Sequence, residues 1–146
     1  MTSFRRLTDD VLVSPQIEPD DLAEARDRGV TLIVNNRPDG ESPDQVPGDE
    51  IAAKASELGL NYVAIPIGHA GFSANDIDAM RVALDQADGT VLAYCRSGTR
   101  STLLWALAEA ANGRDVEEIA AAARQAGYDV GPIRSTLEAL HERASR

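Results

Sequence analysis

Val91-Leu92-Ala93-Tyr94-Cys95-Arg96-Ser97-Gly98-Thr99-Arg100-Ser101 decides how this chain is read. An apolar run gives way to a short loop with the only cysteine, one glycine and two arginines. A helix-forming run, Thr102 to Asn112, follows at once. Strand, tight loop and helix in immediate succession put the thiol among backbone N–H groups at a helix N-terminus. Such a cradle binds anions and favours a reactive thiolate. A lone cysteine is commonly a small buried hydrophobe, and Ser-Gly-Thr can be an ordinary turn. Neither role needs two cations beside the thiol, whereas a thiolate or an anionic substrate does.

On either side of this run, strands alternate with helices. Val11-Leu12-Val13 reads as a first strand. Pro19 to Arg28 reads as a helix, with Glu18, Asp20 and Asp21 at its positive end and Gly29 as its stop. Val30 to Asn35 is a nearly continuous β-branched run, as in buried parallel strands. A polar loop spans Asn36 to Gly48. Asp49 to Leu58 is a helix ended by Gly59. Tyr62 to Ile67 is a strand, Ser73 to Ala87 a helix with Ser73 and Asp76 spaced as a capping box, and Thr90 to Tyr94 the fourth strand. The run Leu103 to Ala108 is apolar on nearly every side, so its helix is expected to be deeply buried. Two helices close the chain. One starts at Asp115 with Glu118 completing a capping box, the other near Pro132, a favoured first-turn residue.

This order implies the α/β class: one domain over residues 1–146, with a mainly parallel central sheet and helices on both faces. The length of 146 residues suits a single domain with a sizeable core. Ligands bind such sheets beyond the carboxyl ends of the strands. Asn36 to Gly48, Gly68 to Asn75 and the cysteine loop all leave at that edge. Arg37, Asp39, Glu41, His69 and Asp76 are therefore expected nearer Cys95 than their sequence distance suggests.

Composition narrows the function classes. Basic residues number 14 and acidic ones 24, a net charge of −10, which argues against a nucleic-acid partner. Any anion site must then be a local positive pocket on an acidic molecule. No apolar run is long enough to span a membrane, and Met1 to Arg6 is not followed by a signal-peptide core. One cysteine rules out an internal disulfide framework and fits a reducing, cytoplasmic setting. His69 and His141 lie far apart without a ligand cluster, so neither a metal nor another cofactor is expected. Nothing legible sets the oligomeric state.

Within the loop, Cys95 is the candidate nucleophile. Arg100 faces the bound anion and chelates two of its oxygens. Gly98 lets the chain turn so that the N–H groups of Arg96, Ser97, Gly98 and Thr99 point inward to bind substrate. Ser101 either donates a hydroxyl hydrogen bond to the thiolate or caps the helix. Arg96 either lines the mouth or points to solvent. Tyr94 packs in the strand. Upstream, Asp39-Gly40 is a turn signal, and Arg37, Asp39 and Glu41 either orient Arg100 or are simply solvated.

Cys95 to Ser101, with Asn35-Asn36-Arg37-Pro38-Asp39-Gly40-Glu41 upstream, resembles the phosphatase-like domain of the beta-lactamase hydrolase-like proteins, a family also described as sulfur transferases. The resemblance covers roughly residues 7 to 112. It implies the fold of dual-specificity, cysteine-dependent phosphatases.

Its two activities differ in chemistry. Cysteine phosphatases place five residues between Cys and Arg, usually with His before the Cys. Here four residues separate Cys95 from Arg100, and Tyr94 precedes the cysteine. That shorter spacing is similar to the rhodanese loop, whose cysteine carries a persulfide, and a tighter ring suits a terminal sulfur better than a phosphate. The expected activity on this count is sulfur transfer through a Cys95 persulfide, from a small anionic sulfur donor such as thiosulfate to a thiol or cyanide acceptor. The alternative is hydrolysis of a phosphate ester through a phosphocysteine, which calls for a general acid. Asp76 is a candidate acid but also reads as a helix N-terminal residue. His69 could donate a proton near neutral pH or be a solvated loop residue. A third reading is a non-catalytic anion or persulfide sensor, with the helical segment Asp115 to Arg146 binding a partner. The spacing of Ile119, Ala123, Ile133, Leu137 and Leu140 argues instead that those helices pack on the core.

Overall fold

The computed structural model describes residues 3–145. Met1, Thr2 and Arg146, at the ends of segments read above, lie outside them. Five strands form one sheet: β1 (Arg5–Thr8), β2 (Val11–Ser14), β3 (Val30–Asn35), β4 (Asn61–Ala64) and β5 (Thr90–Tyr94). The strand order is β1-β2-β5-β3-β4. β2, β5, β3 and β4 run parallel, and β1 pairs antiparallel with β2 at one edge. The helices are α1 (Leu22–Asp27), α2 (Gly48–Glu57), α3 (Ala74–Gln86), α4 (Thr99–Ala111), α5 (Val116–Gln125) and α6 (Arg134–Ala144). This is the expected α/β arrangement.

Successive side chains of a strand point to opposite faces, and the sheet has a core on each. Leu12, Ile33, Leu92 and Tyr94 meet Leu22 and Ala25 of α1 and Ile51 and Ala55 of α2. Val11, Val13, Leu32, Val34, Val91 and Ala93 meet the other four helices. Two-sided burial accounts for the unbroken apolar runs of β3 and β5. α4 is buried on most sides, Leu104, Trp105 and Leu107 among its covered residues. Burying each such side chain contributes about 1.5–3 kcal/mol.

Several element boundaries differ from expectation. β1 is an additional strand. Of its four residues only Leu7 is buried, so an edge strand led by two arginines carries no apolar alternation. Pro19 to Arg28 divides into a 3-10 turn, Pro19–Asp21, and α1. β4 ends at Ala64, although Ile65 and Ile67 still donate to the Asn35 and Asn36 carbonyls at 2.9 Å each. A 3-10 turn, Gly131–Ile133, takes up Pro132, and α6 starts only at Arg134. Asp115 caps α5 by accepting the Glu118 N–H at 3.2 Å. The Glu118 carboxylate lies 3.7 Å from Arg114, so the reciprocal half of that box is replaced by an ion pair.

The register brings the chemistry together. Tyr94 pairs with Ser14 on one side and Asn35 on the other, and Asn35 pairs with Ala64. Four strands thus end level, and the loops after them share one edge.

Candidate active site

Cys95 follows the last residue of β5 and is fully buried. Its N–H donates to the Ser14 carbonyl at 3.4 Å. Its Sγ accepts the Gly98 N–H at 3.1 Å. Gly98 has φ +93°, the left-handed conformation that favours glycine, and it caps α4. That cap starts the helix at Thr99, three residues before the expected Thr102. The first N–H groups of α4 have no intrahelical acceptor and sit beside the loop. Around the arch, Ser97 Oγ donates to Thr99 Oγ1 at 3.0 Å and accepts the Thr99 N–H at 3.3 Å. The Arg96 side chain is exposed, while its carbonyl accepts the Gln16 N–H at 3.2 Å.

Arg100 is held from two loops. Nη1 donates to Glu41 Oε2 at 2.7 Å and to the Ile67 carbonyl at 2.7 Å, and Nη2 donates to Glu41 Oε1 at 2.9 Å. The carboxylate thus takes the end-on edge of the guanidinium. Nε–H and the second hydrogen of Nη2, its other bidentate edge, bond no carboxylate or carbonyl, and the guanidinium also lies within reach of the Cys95 sulfur. The Glu41 hydrogen bonds raise the Arg100 pKa, burial opposes this, and the nearby Cys95 adds to the rise.

Glu41 is itself fixed by Arg37, whose Nε donates to Oε1 at 3.0 Å. Arg37 is only 5% exposed. It is anchored by Gln16 Oε1 at 2.9 Å and Ser42 Oγ at 3.2 Å. Two guanidinium groups around one carboxylate pull the Glu41 pKa down to about 2, chiefly through Arg100 and against the effect of burial. The asparagines before Arg37 pin the segment in place. Asn36 N–H donates to the Tyr94 carbonyl at 2.8 Å and its Nδ2 to the Ile65 carbonyl at 2.9 Å. Asn35 Oδ1 accepts the Arg37 N–H at 2.9 Å. Asp39 has a local role, with Oδ1 accepting the Gly48 N–H at the head of α2 at 2.9 Å.

Other singled-out residues behave differently. Asp76 Oδ2 accepts the Ser73 N–H at 3.0 Å, while Ser73 Oγ accepts the Asp76 N–H at 3.0 Å. The carboxylate thus completes a capping box on α3. His69 is exposed on a turn closed by the Gly71 N–H and the Gly68 carbonyl at 3.2 Å. Ser101 is buried and its hydroxyl has no hydrogen-bond partner among the described residues, so it neither caps α4 nor donates to the thiol. Burial pushes the Tyr94 phenol far above its usual range, which keeps it neutral and structural.

Gln16 and Tyr128 escaped the sequence reading. Tyr128, in the α5–α6 connection, donates its hydroxyl to the Ser97 carbonyl at 3.0 Å. Nothing local marks either residue; an aromatic in a polar inter-helix loop was the one available hint. No group of three or more His, Cys, Asp or Glu among the described residues is placed to hold a metal, and no helix among them is long and apolar enough to cross a membrane. A cleft of about 780 Å³ between Asp9, Asp10, Gly89, Trp105 and Arg114 lies at the amino ends of the strands, away from Cys95.

Comparison with known proteins agrees with this geometry. A model of the beta-lactamase hydrolase-like protein, phosphatase-like domain, matches residues 3–112. A beta-lactamase hydrolase-like protein of Xylella fastidiosa is 36% identical over 127 residues, 86% of this chain and 30% of that protein. The chain spans about 30% of the length of the curated relatives it matches. A crystal structure from Neisseria meningitidis, provisionally described as a phosphatase, has a TM-score of 0.83 at 30% identity, covering 96% of this chain and 99% of that one. TpbA of P. aeruginosa, solved with phosphotyrosine, shares the fold at TM-score 0.67 and 15% identity, covering 99% of this chain and 91% of that one. The fold is that of the cysteine phosphatases, and the chain belongs to the family of the beta-lactamase hydrolase-like protein, phosphatase-like domain.

Proposed function

We propose that this domain hydrolyses phosphate monoesters through a phosphocysteine on Cys95. One observation carries the reading: in a phosphatase-like fold, Arg100 is gripped end-on by Glu41 beside the cysteine loop, with its second bidentate edge left over. That edge matches two oxygens of a phosphoryl group. Family and fold likeness also favour this chemistry over the sulfur transfer suggested by the four-residue spacing. Spacing describes one loop, whereas the arginine clamp is a property of the whole site.

The Cys95 thiolate attacks phosphorus opposite the leaving oxygen. An S–P bond forms, the ester P–O bond breaks, and its electron pair departs with the alcohol or phenol oxygen. Arg100 and the N–H groups at the head of α4 hold the charge on the equatorial oxygens. Water then attacks the phosphocysteine. A P–O bond forms, the S–P bond breaks, and inorganic phosphate leaves as the thiolate returns. The sulfur is buried, which keeps bulk water from it.

The leaving group narrows the substrate class. Residues 68–75 contain no carboxylate, and Asp76 is committed to its capping box. With no carboxylate in that loop and His69 exposed on its turn, a leaving group that stabilises its own negative charge is expected to react best. Aryl phosphates are the expected substrates, ahead of alkyl phosphates. Phosphotyrosine, the ligand of TpbA, belongs to that class.

Paired assays on one preparation test the proposal: release of phosphate from an aryl phosphate, and thiocyanate formation from thiosulfate and cyanide, each repeated with Cys95→Ser. Phosphate release that vanishes in the variant is expected. Cys95-dependent thiocyanate without phosphate release would establish sulfur transfer instead, and neither activity would point to a sensor.

A further inference from the structure

We infer that Tyr128 is a positioning residue for the Cys95 thiolate, acting through the Ser97–Gly98 peptide unit. The inference rests on Cys95 being the nucleophile and is independent of the group it attacks. One peptide unit carries both contacts. Its carbonyl, on Ser97, accepts the Tyr128 hydroxyl at 3.0 Å. Its N–H, on Gly98, donates to Cys95 Sγ at 3.1 Å. In a trans peptide the C=O and N–H point in opposite directions, and no peptide bond among the described residues is cis. Drawing the carbonyl outward therefore aims the N–H inward at sulfur. A donor on the carbonyl also polarises the amide and strengthens its N–H as a donor.

Tyr128 is itself fixed. The Arg5 guanidinium lies 5.7 Å from its ring centroid, and Arg5 Nη1 donates to the Ala126 carbonyl at 3.0 Å. A Cβ on Gly98 would collide with the Tyr128 hydroxyl, so the glycine admits the phenol as well as turning the chain. Burial, helped by the Cys95 thiolate and opposed by Arg5, pushes the Tyr128 pKa up and keeps its hydroxyl a donor near neutral pH. The residue lies outside the segment 3–112 matched by the family model. A helix–helix connection beyond that segment thus reaches back to tune the loop. Charged groups facing the loop and the phenol are Arg100 with Glu41, the exposed Arg96, Arg5 behind the ring, and Arg124, Asp129 and Arg134 beside Tyr128. Tyr128→Phe alters none of them, so a change in thiol ionisation in that variant reports the peptide unit.

Tyr128→Phe removes the hydroxyl and keeps the ring for Arg5. Cysteine labelled with ¹³C at Cβ gives a single resonance, because the chain has one cysteine. The thiolate-to-thiol ratio near neutral pH is expected to fall roughly two- to fivefold, and the Gly98 amide proton to move upfield. An unchanged ratio overturns the inference. So does a fall accompanied by shifts throughout the sheet, which would mark a structural role. If the variant does not fold, Arg5→Lys answers the same question, loosening the ring while keeping the positive charge. A parent protein that releases no phosphate would defeat the proposed hydrolysis and leave this result standing.

Discussion

Arg100 and Glu41, 59 residues apart in sequence, meet end-on with Nη–Oε distances of 2.7 and 2.9 Å. The carboxylate stands between that arginine and the buried Arg37, so neither guanidinium faces the other uncompensated. Glu41→Gln keeps the shape and removes the charge. The two cations then repel, and Arg100 loses its fixed edge. Aryl phosphate hydrolysis is expected to fall about tenfold or more in kcat/KM, since small misplacements of a binding group are costly. Steady-state kinetics checks this. Arg100→Lys, which cannot chelate two oxygens, is expected to cost on the order of 10²-fold.

Acid titration reads the same contact. The folded Glu41 pKa, near 2, lies below that of an unfolded carboxylate. Its contribution to stability is therefore complete above the ordinary glutamate range and is lost as pH falls from there towards about 2. The urea midpoint of the parent is expected to drop across that window. Glu41→Gln should lack this part of the drop.

Gly98→Ala tests the loop backbone. A left-handed φ of +93° costs an alanine about 1–2 kcal/mol, before its Cβ meets Tyr128. Denaturant melts should show at least that loss. Displacing the N–H from Cys95 Sγ should also depress the hydrolysis rate on the order of 10²-fold.

Asp76 separates an acid from a cap. Asp76→Ala removes the acceptor of the Ser73 N–H, and about 1 kcal/mol of stability should go with it. The hydrolysis rate of an aryl phosphate is expected to stay within about twofold of the parent. A general acid would instead contribute roughly 10²-fold or more.

What could be read from the sequence depended on where each signal sits. Val30–Asn35 and Thr90–Tyr94 were legible to the residue because both faces are covered and the runs are unbroken. Arg5–Thr8 was not, because one covered leucine on an edge leaves no period to detect. The nearness of Cys95, Arg100 and Glu41 followed from the rule that loops gather at the carboxyl edge. Asn35 and Asn36 could be recognised as part of a motif, but their bonds to Arg37, Tyr94 and Ile65 are tertiary facts. Gln16 and Tyr128 act through contacts set by packing, with no local pattern. The four-residue count between Cys95 and Arg100 favours sulfur when the loop is weighed alone, and the arginine's carboxylate partner, which bears on the proposed hydrolysis, lies 59 residues away.

Helix α6 offers a stability test. Leu137 is fully covered in the same core as Trp105 and Met80. Leu137→Ala is expected to cost about 2–5 kcal/mol in a denaturant melt, with one transition for the whole domain.

That shared core has a consequence for cutting the chain. Residue 112 ends the family match, yet Val116, Ile119, Ala123 and Leu137 fill the same interior as the strands. A fragment stopping there would expose the apolar flank of α4 to water and leave the Ser97 carbonyl without its phenol. Position 112 thus falls inside a shared core, and a fragment meant to keep that core covered is expected to need α5 and α6 as well as the sheet.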